Sequence, residues 1–168
     1  TDQPGRWDNF PGGFVAFYPV DGSHEGRIVI NSGDILLPFK RYVTSPIEVK
    51  IEKGFITEIR GENFDTLLFK RYLESWKDKN VYAMSHFGWG LDETALWEAL
   101  AFYNPADIEG QDARAFAGNF MWSTGPNVHV GRYTHCHYDI PMRDCTVYLD
   151  GHKIIEKGEI VDPALKPE

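Results

Sequence analysis

The chain lacks any apolar run approaching the length of a membrane-crossing helix, and no signal-peptide pattern opens it. It lacks an excess of positive charge: 17 Lys and Arg against 25 Asp and Glu give a formal net charge of −8. Nucleic-acid binding through a broad basic surface is thereby excluded as a reading. Cysteine is scarce, with only Cys136 and Cys145. The count permits one disulfide, but two cysteines are not a disulfide framework, and nothing indicates secretion. The expectation is a reduced, cytoplasmic protein that contacts neither membrane nor nucleic acid. Internal repeats and low-complexity segments are also missing, and Gly88, Gly90 and Gly118 do not form a phosphate-loop pattern. An initiator Met is absent too. Residues 1–11 (TDQPGRWDNFP) read like the middle of a protein, so a piece of a longer chain is expected.

What remains is a chain of 168 residues, 42% hydrophobic, which is enough for one domain with a real core. Phe14 to Tyr18 and Arg27 to Ile30 are short apolar runs bounded by turn residues. Ile47 to Glu52 alternates apolar and polar, Lys53-Gly54 turns the chain, and Phe55 to Ile59 answers it, which predicts a hairpin. Glu62 to Lys77 carries Phe64, Leu67, Leu68, Tyr72 and Trp76 at helical spacing. Val81 to Met84 reads as a strand, and Glu93 to Tyr103 as a helix capped by Asp92 and ended before Pro105. Three short strands follow near 147–149, 153–155 and 159–161, and the polar tail from Asp162 reads as frayed. Meandering strands with two good helices and no repeated βαβ unit predict an α+β domain on mostly antiparallel, barrel-like sheet.

Chemistry concentrates in Thr134-His135-Cys136-His137-Tyr138-Asp139. On an extended segment, His135, His137 and Asp139 share a face, while Cys136 and Tyr138 point the other way and pack. Residues four apart on a strand are separated by roughly 13 Å. Two of the three can therefore hold one metal ion, and a third ligand must come from elsewhere. Both pairings, His135 with His137 and His137 with Asp139, stay open at this point. Two such ligands plus a distant one would leave positions for substrate and dioxygen, as in non-haem iron oxygenases.

The distant candidates are His24, His86, His129 and His152. His24 lies in a polar turn and reads as solvated, His152 follows a hairpin turn, and His129 reads as facing outward on a strand. His86 stands in Ser85-His86-Phe87-Gly88-Trp89-Gly90, where glycines allow close backbone approach and aromatics supply walls for a flat substrate. Its plainer reading is a buried histidine satisfied by a carbonyl. Ser123-Thr124-Gly125-Pro126-Asn127 is turn chemistry first. Its functional reading gives the hydroxyls of Ser123 and Thr124 to a polar substrate.

Several segments in order along the chain resemble 2,5-dihydroxypyridine 5,6-dioxygenases, ring-cleaving enzymes of nicotinate breakdown. They are PGRWD at 4–8, GDILLPFK at 33–40, EKGFIT at 52–57, SHFGWGL at 85–91, DARAF at 112–116, STGPN at 123–127 and CHYDIP at 136–141. The resemblance implies His86, His137 and Asp139 as ligands of one Fe(II), with His135 set aside. It implies a dihydroxylated pyridine and dioxygen as reactants, N-formylmaleamate as product, and a homo-oligomer. It makes residues 1–168 a single metal-binding catalytic domain, the C-terminal part of a longer enzyme. The family has an α/β N-terminal half, expected to supply pocket residues, that is not in this sequence. Asn9 stands where the family has a histidine. Two rivals follow. One is a two-metal hydrolase like the related thermophilic aminopeptidases, which would draw on Glu93 and Glu98. The other is a non-catalytic piece whose site needs the missing half.

Overall fold

The computed structural model describes residues 12–166; the PGRWD segment and Asn9 lie outside the described residues. The β5 (Ile47–Glu52) and β6 (Phe55–Arg60) hairpin forms as its alternation predicts. Its two turn residues, Lys53 and Gly54, have φ of 50° and 77°. Two successive left-handed residues match the right-handed twist of the strands they join. Ile47, Val49 and Ile51 face inward. With β2 (Gly26–Ile30) the hairpin makes a three-stranded antiparallel sheet.

The helix α1 (Phe64–Ser75) packs on that sheet, capped by Asn63, whose side chain accepts from the Thr66 N–H at 2.9 Å. The helix is where the periodicity puts it, but its inward face is rotated. Phe69 and Leu73 enter the core, whereas Phe64 and Leu67 are exposed. Asp65 is fully buried. Its Oδ2 accepts from the Thr44 N–H and hydroxyl at 2.8 and 2.7 Å, and its Oδ1 lies 2.8 Å from Arg41. That buried carboxylate shares the inward side of the helix with Phe69 and Leu73.

The central sheet is antiparallel in the order β1 (Phe14–Phe17), β7 (Met84–Gly90), β8 (Phe120–Thr124), β9 (Tyr138–Met142). Trp122, Tyr138, Ile140 and Met84 lie in the main core with Phe69 and the hairpin residues. Two small sheets complete the fold: β3 (Ile35–Leu36) with β4 (Arg41–Tyr42), and β10 (Val147–Leu149), β11 (His152–Glu156) and β12 (Glu159–Ile160). The class is α+β and mostly antiparallel, as the sequence predicts. The described sheets stay separate and close no continuous barrel. Both cysteines are free, Cys136 in the core, and no described helix is long and apolar enough to cross a membrane.

Several local expectations are corrected. Residues 79–82 form a 3₁₀ turn, because the Asp78 carboxylate caps the Asn80 N–H at 2.9 Å, and the strand starts only at Met84. The helix expected over Glu93 to Tyr103 is reduced to α2 (Ala99–Phe102). Asp92 folds back onto the Thr94 N–H and hydroxyl at 2.8 and 2.7 Å, Asp112 takes the Leu96 N–H, and Tyr42 takes the Trp97 carbonyl at 2.7 Å. Asp112 and Tyr42 thus capture groups that a longer helix would pair internally, whereas the Asp92 contacts are those of an N-cap. Ser123 and Thr124 belong to β8, and the turn begins only at Gly125. His129 lies in a 3₁₀ turn, not a strand. His24 is buried, not solvated. The Gly54 N–H donates to its carbonyl at 2.9 Å, folding the loop over the hairpin, and its ring meets Phe87 edge-on at 5.0 Å. The tail forms a 3₁₀ turn at Pro163–Leu165, capped by Asp162.

A further short helix, α3 (Gln111–Ala115), is tied to β7 by one side chain. Asn119 is fully buried; its Oδ1 accepts from the Gly90 N–H at 2.7 Å, and its Nδ2 donates to the carbonyls of Ala113 and Arg114 at 2.5 and 3.0 Å. Asn119→Ala leaves these groups buried and unpaired. The variant should lose about 3 kcal/mol of unfolding free energy in urea titration; a loss below about 1 kcal/mol would mean that Asn119 is not the clamp.

Candidate metal centre

His86 is the third residue of β7, Asp139 the second of β9, and His137 directly precedes β9. Strand β8 runs between β7 and β9, which therefore lie about 10 Å apart. In the β8–β9 ladder Ser123 stands opposite Asp139. In the β7–β8 ladder Met84 pairs with Thr124 and Phe87 with Trp122, so Ser85 and His86 together face Ser123. This is a β-bulge, and bulges re-aim side chains. The Ser123 hydroxyl fills it, accepting from the His86 N–H and donating to the His86 carbonyl, both at 2.9 Å. Asp139, Ser123 and the re-aimed His86 then share one face, with a small residue between two long ones.

Three atoms converge there. His86 Nε2 and His137 Nε2 are 3.1 Å apart, His137 Nε2 and Asp139 Oδ1 are 2.9 Å apart, and His86 Nε2 and Asp139 Oδ1 are 3.5 Å apart. Donor atoms held about 2.1 Å from one ion and at right angles stand about 3 Å from each other. The cluster also has a surplus of lone pairs. Two imidazole nitrogens at this distance share at most one proton, and Asp139 Oδ1 is buried without a hydrogen-bond partner among the described residues. The donor set, two imidazoles and a carboxylate, suits a divalent first-row metal. These residues fit such an ion.

The electrostatics prepare the same atoms. Burial lowers the His86 pKa from 6.5 to about 4, helped by His137 and Arg114 and opposed by Asp139. Burial alone would raise the Asp139 carboxyl, but His137, Arg114 and His86 outweigh it and hold the group well below the usual carboxylate range. At neutral pH a bare imidazole and a bare carboxylate face the centre. Phe14 and Tyr18 flank His86, with ring centroids at 6.3 and 5.8 Å, and Tyr18 lies 5.0 Å from His129. Exposure is uneven: 12% of the His86 side chain, 6% of Asp139 and 38% of His137.

Of the residues singled out in the sequence, His86, His137 and Asp139 come together, and among the described residues they form the one such group of potential ligands. His135 is exposed and is not in it. Ser123 and Thr124 are fully buried. Ser123 is spent on the His86 backbone, and the Thr124 hydroxyl has no partner among the described residues. Arg114 was missed. Its Nε donates to Asp139 Oδ2 at 2.8 Å. A buried carboxylate calls for a cation, but nothing in the sequence says which.

Two outcomes follow. Unfolded His86 takes up a proton below pH 6.5, and folded His86 only near pH 4. The stability it contributes is therefore present above 6.5 and lost as pH falls towards 4. Asp139, also depressed, acts in the same direction at lower pH. The metal-free chain should lose up to about 3 kcal/mol across this window in urea titrations at stepped pH, and His86→Gln should flatten that loss. Separately, Ser123→Ala should weaken Co(II) binding by about tenfold in calorimetric titration, because the bulge loses its filling; unchanged affinity would show that the ladder alone holds His86.

The family of 2,5-dihydroxypyridine 5,6-dioxygenases matches residues 1–162 of this chain. A curated 2,5-dihydroxypyridine 5,6-dioxygenase of Pseudomonas putida KT2440 is 47% identical over 165 residues, which are 97% of this chain and 47% of that protein. The solved structure of the 2,5-dihydroxypyridine dioxygenase from Pseudomonas putida KT2440 superposes with a TM-score of 0.93 at 46% identity, covering 99% of this chain and 48% of that one. The chain thus spans about half the length of these relatives. The match runs through both strands that bear the cluster and the bulge in β7, and the chain belongs to the 2,5-dihydroxypyridine 5,6-dioxygenase family.

Proposed function

We propose that residues 1–168 are the metal-holding catalytic domain of a ring-cleaving dioxygenase, with His86, His137 and Asp139 as ligands of one Fe(II). The reaction is the opening of 2,5-dihydroxypyridine between carbons 5 and 6 to N-formylmaleamate, with both atoms of dioxygen entering the product. The observation that carries this reading is the convergence of two imidazole nitrogens and one orphaned carboxylate oxygen, in a chain of this family. When bound, the iron would favour the ionised substrate hydroxyl, bring dioxygen beside the ring and allow oxygen to react by single-electron steps.

The chain's own residues do the rest. Ser123 and the bulge fix the direction of His86. Its neutral ring and the ionised Asp139 accept a metal at neutral pH without releasing a proton. Phe14 and Tyr18 offer aromatic surfaces that orient a flat ring beside His86. The exposed side of His137 is the way in. A two-metal hydrolase is not favoured: Glu98 is an exposed partner of Arg143 at 3.5 Å, Glu93 is exposed, and neither belongs to the ligand group.

Anaerobic Fe(II) titration tests the reading. One iron per chain should bind, and His137→Ala should lower the affinity by more than about 100-fold and abolish loss of 2,5-dihydroxypyridine absorbance. Two metals per chain would point to the hydrolase, and full iron occupancy in the variant would remove His137 from the ligand set.

A further inference from the structure

We infer that Arg114 is a positioning residue that restricts Asp139 to ligation through one oxygen. The inference rests on the reading of His86, His137 and Asp139 as metal ligands. The two carboxylate oxygens of Asp139 have different surroundings. Oδ2 accepts from Arg114 Nε at 2.8 Å. Oδ1 has no hydrogen-bond partner among the described residues and faces both Nε2 atoms. A carboxylate beside a divalent ion can bind through one oxygen or both. Here one of the two is already taken, in a charge-assisted contact that also fixes the plane of the group.

The guanidinium is itself held in place. Its Nη1 donates to the Glu109 carbonyl at 2.9 Å. The Arg114 carbonyl is held by Asn119 at 3.0 Å, and Asn119 is bonded in turn to the Gly90 N–H at the end of β7. Arg114 is thus referenced to the strand that carries His86. It pins Oδ2 relative to one ligand, while β9 carries Asp139 and His137 directly precedes that strand.

The consequence is a matter of coordination sites. A second Asp139 oxygen on the metal would occupy a position that substrate or dioxygen needs. Arg114 keeps that position open. The positive charge of Arg114 also repels a metal ion, so its removal need not weaken metal binding greatly. What it should change is the way Asp139 binds.

Mn(II), which resists oxidation by air in this ligand set better than Fe(II), is the probe. The tests are infrared difference spectra of the 168-residue chain labelled with ¹³C-carboxyl aspartate, and proton relaxation to count exchangeable waters on the bound ion. The wild-type chain should bind Mn(II) in a His137-dependent way and show the widely split carboxylate bands of one-oxygen ligation. In Arg114→Met the bands should draw together and one exchangeable water should be lost. Arg114→Lys, which keeps a donor, should restore the wild-type pattern, as a purely structural role would not require. Narrowly split bands in the wild type would overturn the inference whether or not the Met variant folds. So would an unchanged water count in a folded Arg114→Met. In both cases His137-dependent binding would leave the metal-site reading standing. Wild-type binding that His137→Ala does not affect would overturn that reading, and the inference with it.

Discussion

Asp139 carries a negative charge to a place where 6% of its side chain meets solvent. Removing an ionised carboxylate from water costs several kcal/mol, and a protein recovers this only with well-placed partners. Arg114 supplies one on Oδ2, and the imidazoles of His86 and His137 crowd Oδ1. The compensation is incomplete by design of the geometry, since Oδ1 lacks a hydrogen bond among the described residues. A site whose charge were fully paired would have little to offer a cation. This one keeps enough opposing charge to stay folded and ionised, and leaves one oxygen uncommitted.

The sheet then has to bring a second strand's ligand to that oxygen. Regular pairing would not do it, because it would set Ser85 opposite Ser123 and turn His86 to the other face of the sheet. The Ser85–His86 bulge turns His86 towards the Asp139 face, and Ser123 supplies the backbone contacts that the bulge interrupts. A serine suits this position twice over. It is small enough for two longer side chains to meet above it, and its hydroxyl both donates and accepts. On the reverse face the neighbouring residues Trp122, Tyr138 and Ile140 are locked into the core, which keeps the register from slipping.

Much of this was legible from local pattern. The 47–59 hairpin announced itself by alternation around Lys53-Gly54, and α1 by its period. The spacing of His137 and Asp139, with His86 amid glycines and aromatics, marked the site. What escaped was decided by partners distant in sequence. Asp65 lies on the inward side of α1, where Thr44 and Arg41 reach it. Asp112 and Tyr42 dismantle a well-patterned helix by taking its backbone groups. STGPN looked like a turn, and only the pairing of β8 with both neighbours shows its first two residues to be strand. Spacing alone leaves the pairing of His137 with Asp139 open, and the family resemblance favours it. Arg114 lies 25 residues from the carboxylate it holds, and no periodicity links the two.

The gradient of exposure across the three clustered residues gives the centre a direction. Asp139 sits in a ladder position and His86 in the bulge, backed by Arg114 and Ser123 respectively, and both are largely buried. His137 stands one residue outside β9 with 38% of its side chain exposed, so its ring can shift at little cost to the core. Flanking aromatics, Phe14 and Tyr18, stand by His86 and not by the buried side of Asp139. The open approach to the cluster is thus on the His137 side, with the pinned carboxylate beneath. The order of burial, carboxylate first and outer histidine last, is what a site would need to hold an ion firmly and leave one side open.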